Sequence, residues 1–172
     1  GVDPKLSPEM KSTGEVMGID GDFGWAFAKS QAGAGAVLPT SGTAFISVKA
    51  SDRPAALEVG RALNTLGMRI QGTSGTAGYL REHGLTVEIV NKVTEGRPHI
   101  VDMIKNNEIV LIVNTVEEKR TAIADSRSIR TSALGAKVTL FTTIEGGRAA
   151  CAGMRHDGLE TYSLQALHAE LK

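Results

Sequence analysis

The stretch Ile70-Gln71-Gly72-Thr73-Ser74-Gly75-Thr76-Ala77-Gly78-Tyr79-Leu80 decides how the chain is read. It has the pattern of a buried strand running out into a tight turn of glycines and hydroxyls, then a helix that Gly84 stops. A strand-to-helix turn aims several free backbone N–H groups and the positive end of the helix dipole at one spot. An anion, above all a phosphate, suits that spot. Gly72 and Gly75 allow close backbone approach, and Thr73, Ser74 and Thr76 add hydroxyls. An isolated G-x-x-G can equally be a plain tight turn, so the flanking sequence carries the decision.

Upstream, Ala44-Phe45-Ile46-Ser47-Val48 reads as a strand and Ser51-Asp52-Arg53-Pro54 as a helix start. Ala56, Val59, Leu63 and Leu66 then recur at helical spacing until Gly67. Met68 to Gln71 is a second strand, and the helix after the glycine turn is expected from Ala77 to His83. Thr86 to Val90 is a third strand, and Pro98 opens a helix to about Lys105. Ile109-Val110-Leu111-Ile112-Val113, apolar on both faces, reads as a central parallel strand ending at Asn114-Thr115. Asp125 or Ser126 is expected to cap a helix containing Ile129 and Leu134. A fifth strand, Lys137 to Thr142, precedes a helix from Glu145 to Met154, and Ser163 would cap a closing helix with Leu164, Leu167 and Leu171. Strands alternating with helices in this way imply a doubly wound, flavodoxin-like α/β/α fold on a five-stranded, mainly parallel sheet.

Composition narrows the function. Nineteen basic residues balance nineteen acidic ones, so no global field attracts nucleic acid or an anionic membrane. Aromatics are only 4% of residues, too few for base-stacking platforms. The single Cys151 sits in an Ala/Gly-rich helical pattern, and the simplest compartment is cytoplasmic. His83, His99, His156 and His168 lack the close spacing of a metal site, and no metal is expected. No apolar run approaches the roughly 18 residues of a membrane span. At 172 residues the chain suits one substantial domain with an appendage. Residues 1–42 read as the tail of a larger unit and a linker. Asp22 would cap a short helix through Phe23, Trp25 and Phe27 that has apolar surface on more than one side.

Ligands of an open parallel sheet collect beyond the carboxyl ends of its strands. Those positions hold Lys49 and Arg53 after the first strand, Thr73 to Thr76 after the second, Lys92 after the third, and Asn114 and Thr115 after the fourth. A charge-assisted hydrogen bond contributes about 1.5–3 kcal/mol. A micromolar ligand needs roughly 8 kcal/mol, so a few such donors suffice. Acid–base chemistry is weaker: Glu95, His99 and Asp102 lie close together, but a lone His–Asp pair is more often a cap or surface contact than a dyad. No nucleophile elbow, Walker loop or carboxylate cluster occurs.

Gly72-Thr73-Ser74-Gly75-Thr76, Asn91-Lys92-Val93-Thr94-Glu95-Gly96-Arg97-Pro98-His99-Ile100, Asn114-Thr115 and Asp125-Ser126 through Ile129-Arg130 together resemble the C-terminal allosteric domain of the carbamoyl phosphate synthetase large subunit. That family has the methylglyoxal-synthase-like fold. Pro8 to Gly18 resembles the end of the second ATP-grasp unit of the same polypeptide, so residues 43–172 would be the regulatory domain. The resemblance implies a nucleoside monophosphate effector, uridine or inosine monophosphate, bound around Ser47, Thr73, Thr76, Lys92, Asn114 and Thr115, with Arg53, Ser74 and Gly75 beside them. It also implies a second effector site, for ornithine, near Thr142 and Thr143. The parent would be an oligomer with a small glutaminase subunit, making carbamoyl phosphate from bicarbonate, ammonia and ATP with Mg or Mn, and K, for pyrimidine and arginine synthesis. The 172-residue chain alone would carry no catalytic residue and no cofactor.

The departures from the family pattern are local. Arg53 replaces a lysine, Val116 replaces a threonine, Thr131 follows Arg130 where a second arginine is frequent, and Leu140-Phe141 replace tyrosine and an acid. Two alternatives stand beside the regulatory reading. A methylglyoxal synthase would need a carboxylate base in the loop after the third strand, where only Glu95 is available. A structural or oligomerisation module would keep a vestigial pocket.

Overall fold

The computed structural model describes residues 16–116 and 120–156, with positions 163, 165 and 169. The expected closing helix with Leu164, Leu167 and Leu171, residues 1–15 and His168 lie outside the described residues. Contacts divide the chain into two compact units, one of residues 39–151 and the other of residues up to 38 with those from 152 onward.

In the larger unit the elements run β1 Thr43–Ser47, α2 Arg53–Thr65, β2 Arg69–Gly72, α3 Ser74–Glu82, β3 Glu88–Ile89, α4 Ile100–Lys105, β4 Leu111–Asn114, α5 Arg120–Gly135, β5 Thr139–Phe141 and most of α6 Ile144–Gly153, whose last two residues belong to the other unit. The helix α1, Phe23–Gly33, precedes them in the other unit. The five strands form one parallel sheet in the order β3-β2-β1-β4-β5. The chain therefore winds outward from β1 through β2 and β3, returns beside β1, and winds outward through β4 and β5. The reversal lies between β1 and β4, so the crevice that attracts ligands opens there. This order departs from the 2-1-3-4-5 arrangement of flavodoxin itself while keeping the doubly wound principle.

Burial follows the residue pattern. Phe45, Ile46, Leu111, Ile112 and Val113 are essentially inaccessible, as central parallel strands covered on both faces must be. Phe45 and Ile112 share one face with Ile100 and Ile104 of α4 and Ile129 and Ala133 of α5. On the opposite face α2 packs on β1, β2 and α3, and Gly147 of α6 lies against Val113 and Val59. Burying each large side chain is worth about 1.5–3 kcal/mol, so this two-faced core holds the strand ends in register.

Several boundaries differ from expectation. The helix expected at Ala77 begins at Ser74, because Thr73 is already extended and in the N-cap position. The Asp125 or Ser126 cap is overturned: α5 starts at Arg120, and both residues lie in its interior. Helix α1 runs past Ala28 to Gly33, with Asp22 accepting from Trp25 N at 3.1 Å as expected of its cap. Ser30 Oγ satisfies its hydroxyl within the helix by donating back to Phe27 O at 2.7 Å. In the same unit, His156 stacks on Trp25 at 4.5 Å and places Nε2 3.0 Å from Asp22 Oδ1.

Candidate functional site

The carboxyl ends of β1, β2 and β4 meet through side chains. Ser47 Oγ lies 3.1 Å from Thr73 Oγ1, joining the ends of β1 and β2. Val48 N donates to Thr76 Oγ1 at 3.1 Å, and that hydroxyl donates back to Val48 O at 3.4 Å. Lys49 N donates to Thr115 Oγ1 at 3.1 Å. Asn114 Nδ2 donates to Ser47 O at 3.2 Å across the switch point. Thr76 and Asn114 are thus buried braces, their polar atoms already engaged with the chain. Buried polar groups satisfied in this way rigidify a site, whereas unsatisfied ones would cost about 1–3 kcal/mol each.

What remains open is a set of donors. The first helical hydrogen bond of α3 is Ala77 N to Thr73 O at 2.8 Å, so the N–H groups of Ser74, Gly75 and Thr76 precede the ladder. Arg53, the first residue of α2, spreads its guanidinium over this turn: a Cβ on Gly75 would come 2.7 Å from Arg53 Nη2. Arg53 Nε is buried and has no hydrogen-bond partner. A glycine at 75 is therefore required for the arginine to reach the helix N-terminus. Gly72 has a different reason, since its Cβ would stand 2.7 Å from Ile46 O on the neighbouring strand.

Lys92 follows β3 and is half-buried; its backbone N–H donates to Glu95 Oε2 at 2.8 Å within the short 3-10 turn Val93–Glu95. No described carboxylate lies within ion-pair distance of its ammonium. The Glu95 carboxylate, the base that a methylglyoxal synthase would need, is occupied in capping this turn. His99 and Asp102 form a cap rather than a dyad, His99 N donating to Asp102 Oδ2 at 3.1 Å at the start of α4. The other two sequence candidates stand apart in the bend between β5 and α6: Thr143 Oγ1 accepts from Gly146 N at 3.1 Å at the start of α6, and Thr142 is exposed beside it. Among the described residues no group of His, Cys, Asp and Glu is arranged to hold a metal ion.

The sequence reading missed two members. Ser126 Oγ donates to Asn114 Oδ1, and Arg130 Nη2 donates to Asn114 O at 3.3 Å. Both project from α5 toward the end of β4, one helical turn apart. Their i, i+4 spacing beside the buried Ile129 was a usable signal, hidden by assigning Ser126 to a helix end.

A parallel sheet that reverses its winding between β1 and β4, with its polar cluster at that reversal, defines a doubly wound α/β domain. Residues 55–142 match the MGS-like domain family, and the chain belongs to it. The chain is 58% identical over 172 residues to the carbamoyl phosphate synthase large chain of Ralstonia nicotianae, covering 99% of this chain and 16% of the relative. It is 57% identical to the large chain of Pseudomonas syringae pv. tomato and 49% identical to that of Neisseria meningitidis serogroup B, in each case over the whole of this chain and 16% of the relative. The chain thus spans about one sixth of the length of the large chains it matches. No described helix is long and apolar enough to cross a membrane.

Proposed function

We propose that this chain is the regulatory end of a carbamoyl phosphate synthase large chain, and that it binds a nucleoside monophosphate at the β1/β4 switch point. The observation that carries this reading is the convergence on one helix N-terminus of free N–H groups, the Ser47 and Thr73 hydroxyls and the Arg53 guanidinium with its unpartnered buried Nε. That donor set suits a phosphate dianion, and Lys92 would supply a second cation. Residues 43–172 would form the effector domain and residues 1–42 the end of the preceding ATP-grasp domain. The whole polypeptide, a cytoplasmic ATP-dependent ligase, would make carbamoyl phosphate with its small glutaminase subunit for the pyrimidine and arginine pathways.

Regulation would work by linkage. An effector that favours one arrangement of the interface with the synthetase domains shifts their equilibrium by no more than its differential binding energy, typically about 1–3 kcal/mol. Ornithine would bind near Thr142 and Thr143, where Thr143 Oγ1 accepts from Gly146 N at the start of α6 and Leu140 and Phe141 add no charge.

The test is thermal unfolding of the chain, and of Lys92→Ala, with millimolar uridine monophosphate, inosine monophosphate, ornithine and inorganic phosphate. A rise in Tm with a nucleotide that disappears in Lys92→Ala supports the reading. The absence of any shift, in this chain and in the full-length large chain, would leave the structural-module alternative.

A further inference from the structure

A shallow groove of about 480 Å³ opens between the loop that follows β3 and the outer face of α5. Val93, Arg97, His99 and Val101 line one wall, and Arg127 and Thr131 belong to the other. Its size falls within the range of small-molecule sites. None of its lining residues belongs to the switch-point cluster.

The chemistry of the walls selects the ligand. Arg97 and Arg127 line the groove from different elements, so two permanently cationic side chains border one cavity. Arg127 has no carboxylate within ion-pair distance among the described residues. Arg97 has only Asp102, at 3.3 Å, with its own side chain 76% exposed. A pair as exposed as that is weak and gives way to a better anion. The planar fork of arginine fits carboxylate and phosphate in two-point contact. Thr131 places a hydroxyl on the same wall as Arg127, and His99 Nδ1 is buried at the other wall, 3.1 Å from Asp102 Oδ2 and without a well-directed hydrogen bond. Val93 and Val101 add apolar surface that an inorganic ion would leave uncovered.

We infer that this groove is a second binding site, taking a small organic anion whose carboxylate or phosphate spans Arg97 and Arg127 and whose apolar body rests on Val93 and Val101. The inference is independent of what occupies the switch point. The two places nevertheless share a loop, because Lys92 immediately precedes Val93.

The test is a ¹⁵N NMR titration of the whole 172-residue chain with phthalate and phenyl phosphate, using phenol as the neutral control. The arms are the wild type, an Arg97→Ala/Arg127→Ala variant and an Arg53→Ala/Lys92→Ala variant. Saturable shifts clustered at residues 93–101 and 127–132 are expected. They should persist in the Arg53/Lys92 variant and weaken at least tenfold in the Arg97/Arg127 variant, while phenol stays silent. Both arginines of the groove variant project outward, so its native spectrum serves as the folding control. The proposal is overturned if neither anion gives saturable shifts, if the shifts vanish in the Arg53/Lys92 variant, or if phenol binds as well as the anions.

Discussion

Replacing Gly75 by alanine should separate binding from stability. The new Cβ would stand 2.7 Å from Arg53 Nη2 and 3.6 Å from its Cζ, and it would meet nothing else within 4 Å. The obstacle is the far end of a flexible side chain, so the guanidinium withdraws and the backbone stays. Alanine is favoured over glycine in a helix by up to about 1 kcal/mol. Withdrawal also returns the buried Arg53 Nε to water. The net stability change should therefore lie within about 1 kcal/mol, a Tm change of no more than about 2–4 °C for a chain of this size. Binding should suffer much more. A charge-assisted hydrogen bond to phosphate is worth about 1.5–3 kcal/mol, which is roughly a 10- to 150-fold rise in Kd. Calorimetric titration with the nucleotide that stabilises the wild type reads the affinity, and thermal unfolding reads the stability. Wild-type affinity in Gly75→Ala would refute the role given to Arg53. A large loss of stability would refute the claim that only a side chain stands in the way.

Gly72→Ala should behave oppositely, because its Cβ meets the Ile46 carbonyl at 2.7 Å and the sheet itself must shift. A loss of about 1–3 kcal/mol in urea unfolding is expected. Ser126→Ala removes the donor to the buried Asn114 Oδ1 and should cost about 1–3 kcal/mol. Ser128→Ala, on the exposed side of the same helix, should cost almost nothing by the same urea midpoint measurement. Lys92→Ala should weaken nucleotide binding by calorimetry without moving the urea midpoint, because no ion pair holds the ammonium among the described residues. The Lys29 ammonium, 2.6 Å from Asp20 Oδ2, holds the Asp20 carboxyl below its ordinary value of 3.8. Its stabilising contribution is therefore present above that value and is lost as pH falls through the lowered one. An NMR titration should find the Asp20 midpoint below 3.8 and see it rise in Lys29→Met.

The legible parts of the site were those that act through the backbone. Gly72 to Thr76 announced a strand-to-helix turn because glycine and hydroxyl residues have few other reasons to follow an apolar run so closely. Asn114 and Thr115 were found by position alone, as the first polar residues at the end of an apolar strand, whereas Ser47, inside the strand pattern, came only from the family resemblance. Their tasks were not legible. Asn114 read as a ligand donor, yet both ends of its amide are engaged, by Ser47 O and Ser126 Oγ. Ser126 read as a helix cap because serine favours caps, and the tertiary environment overrode that preference by giving its hydroxyl a buried partner.

Sequence by itself determined the alternation of strands and helices, the parallel sheet and the edge at which polar residues gather. These follow from periodicities of about two and 3.6 residues and from turn chemistry, all local properties of the chain. Only the tertiary structure decided that β4 lies beside β1, which places the switch point between Ser47 and Asn114. It alone decided that Arg53 crosses Gly75, and that Arg97 and Arg127 share a groove. Those facts depend on contacts between residues far apart in the chain. Such contacts are chosen by the packing of whole faces, Phe45 and Ile112 against α4 and α5, which no local window of the sequence contains.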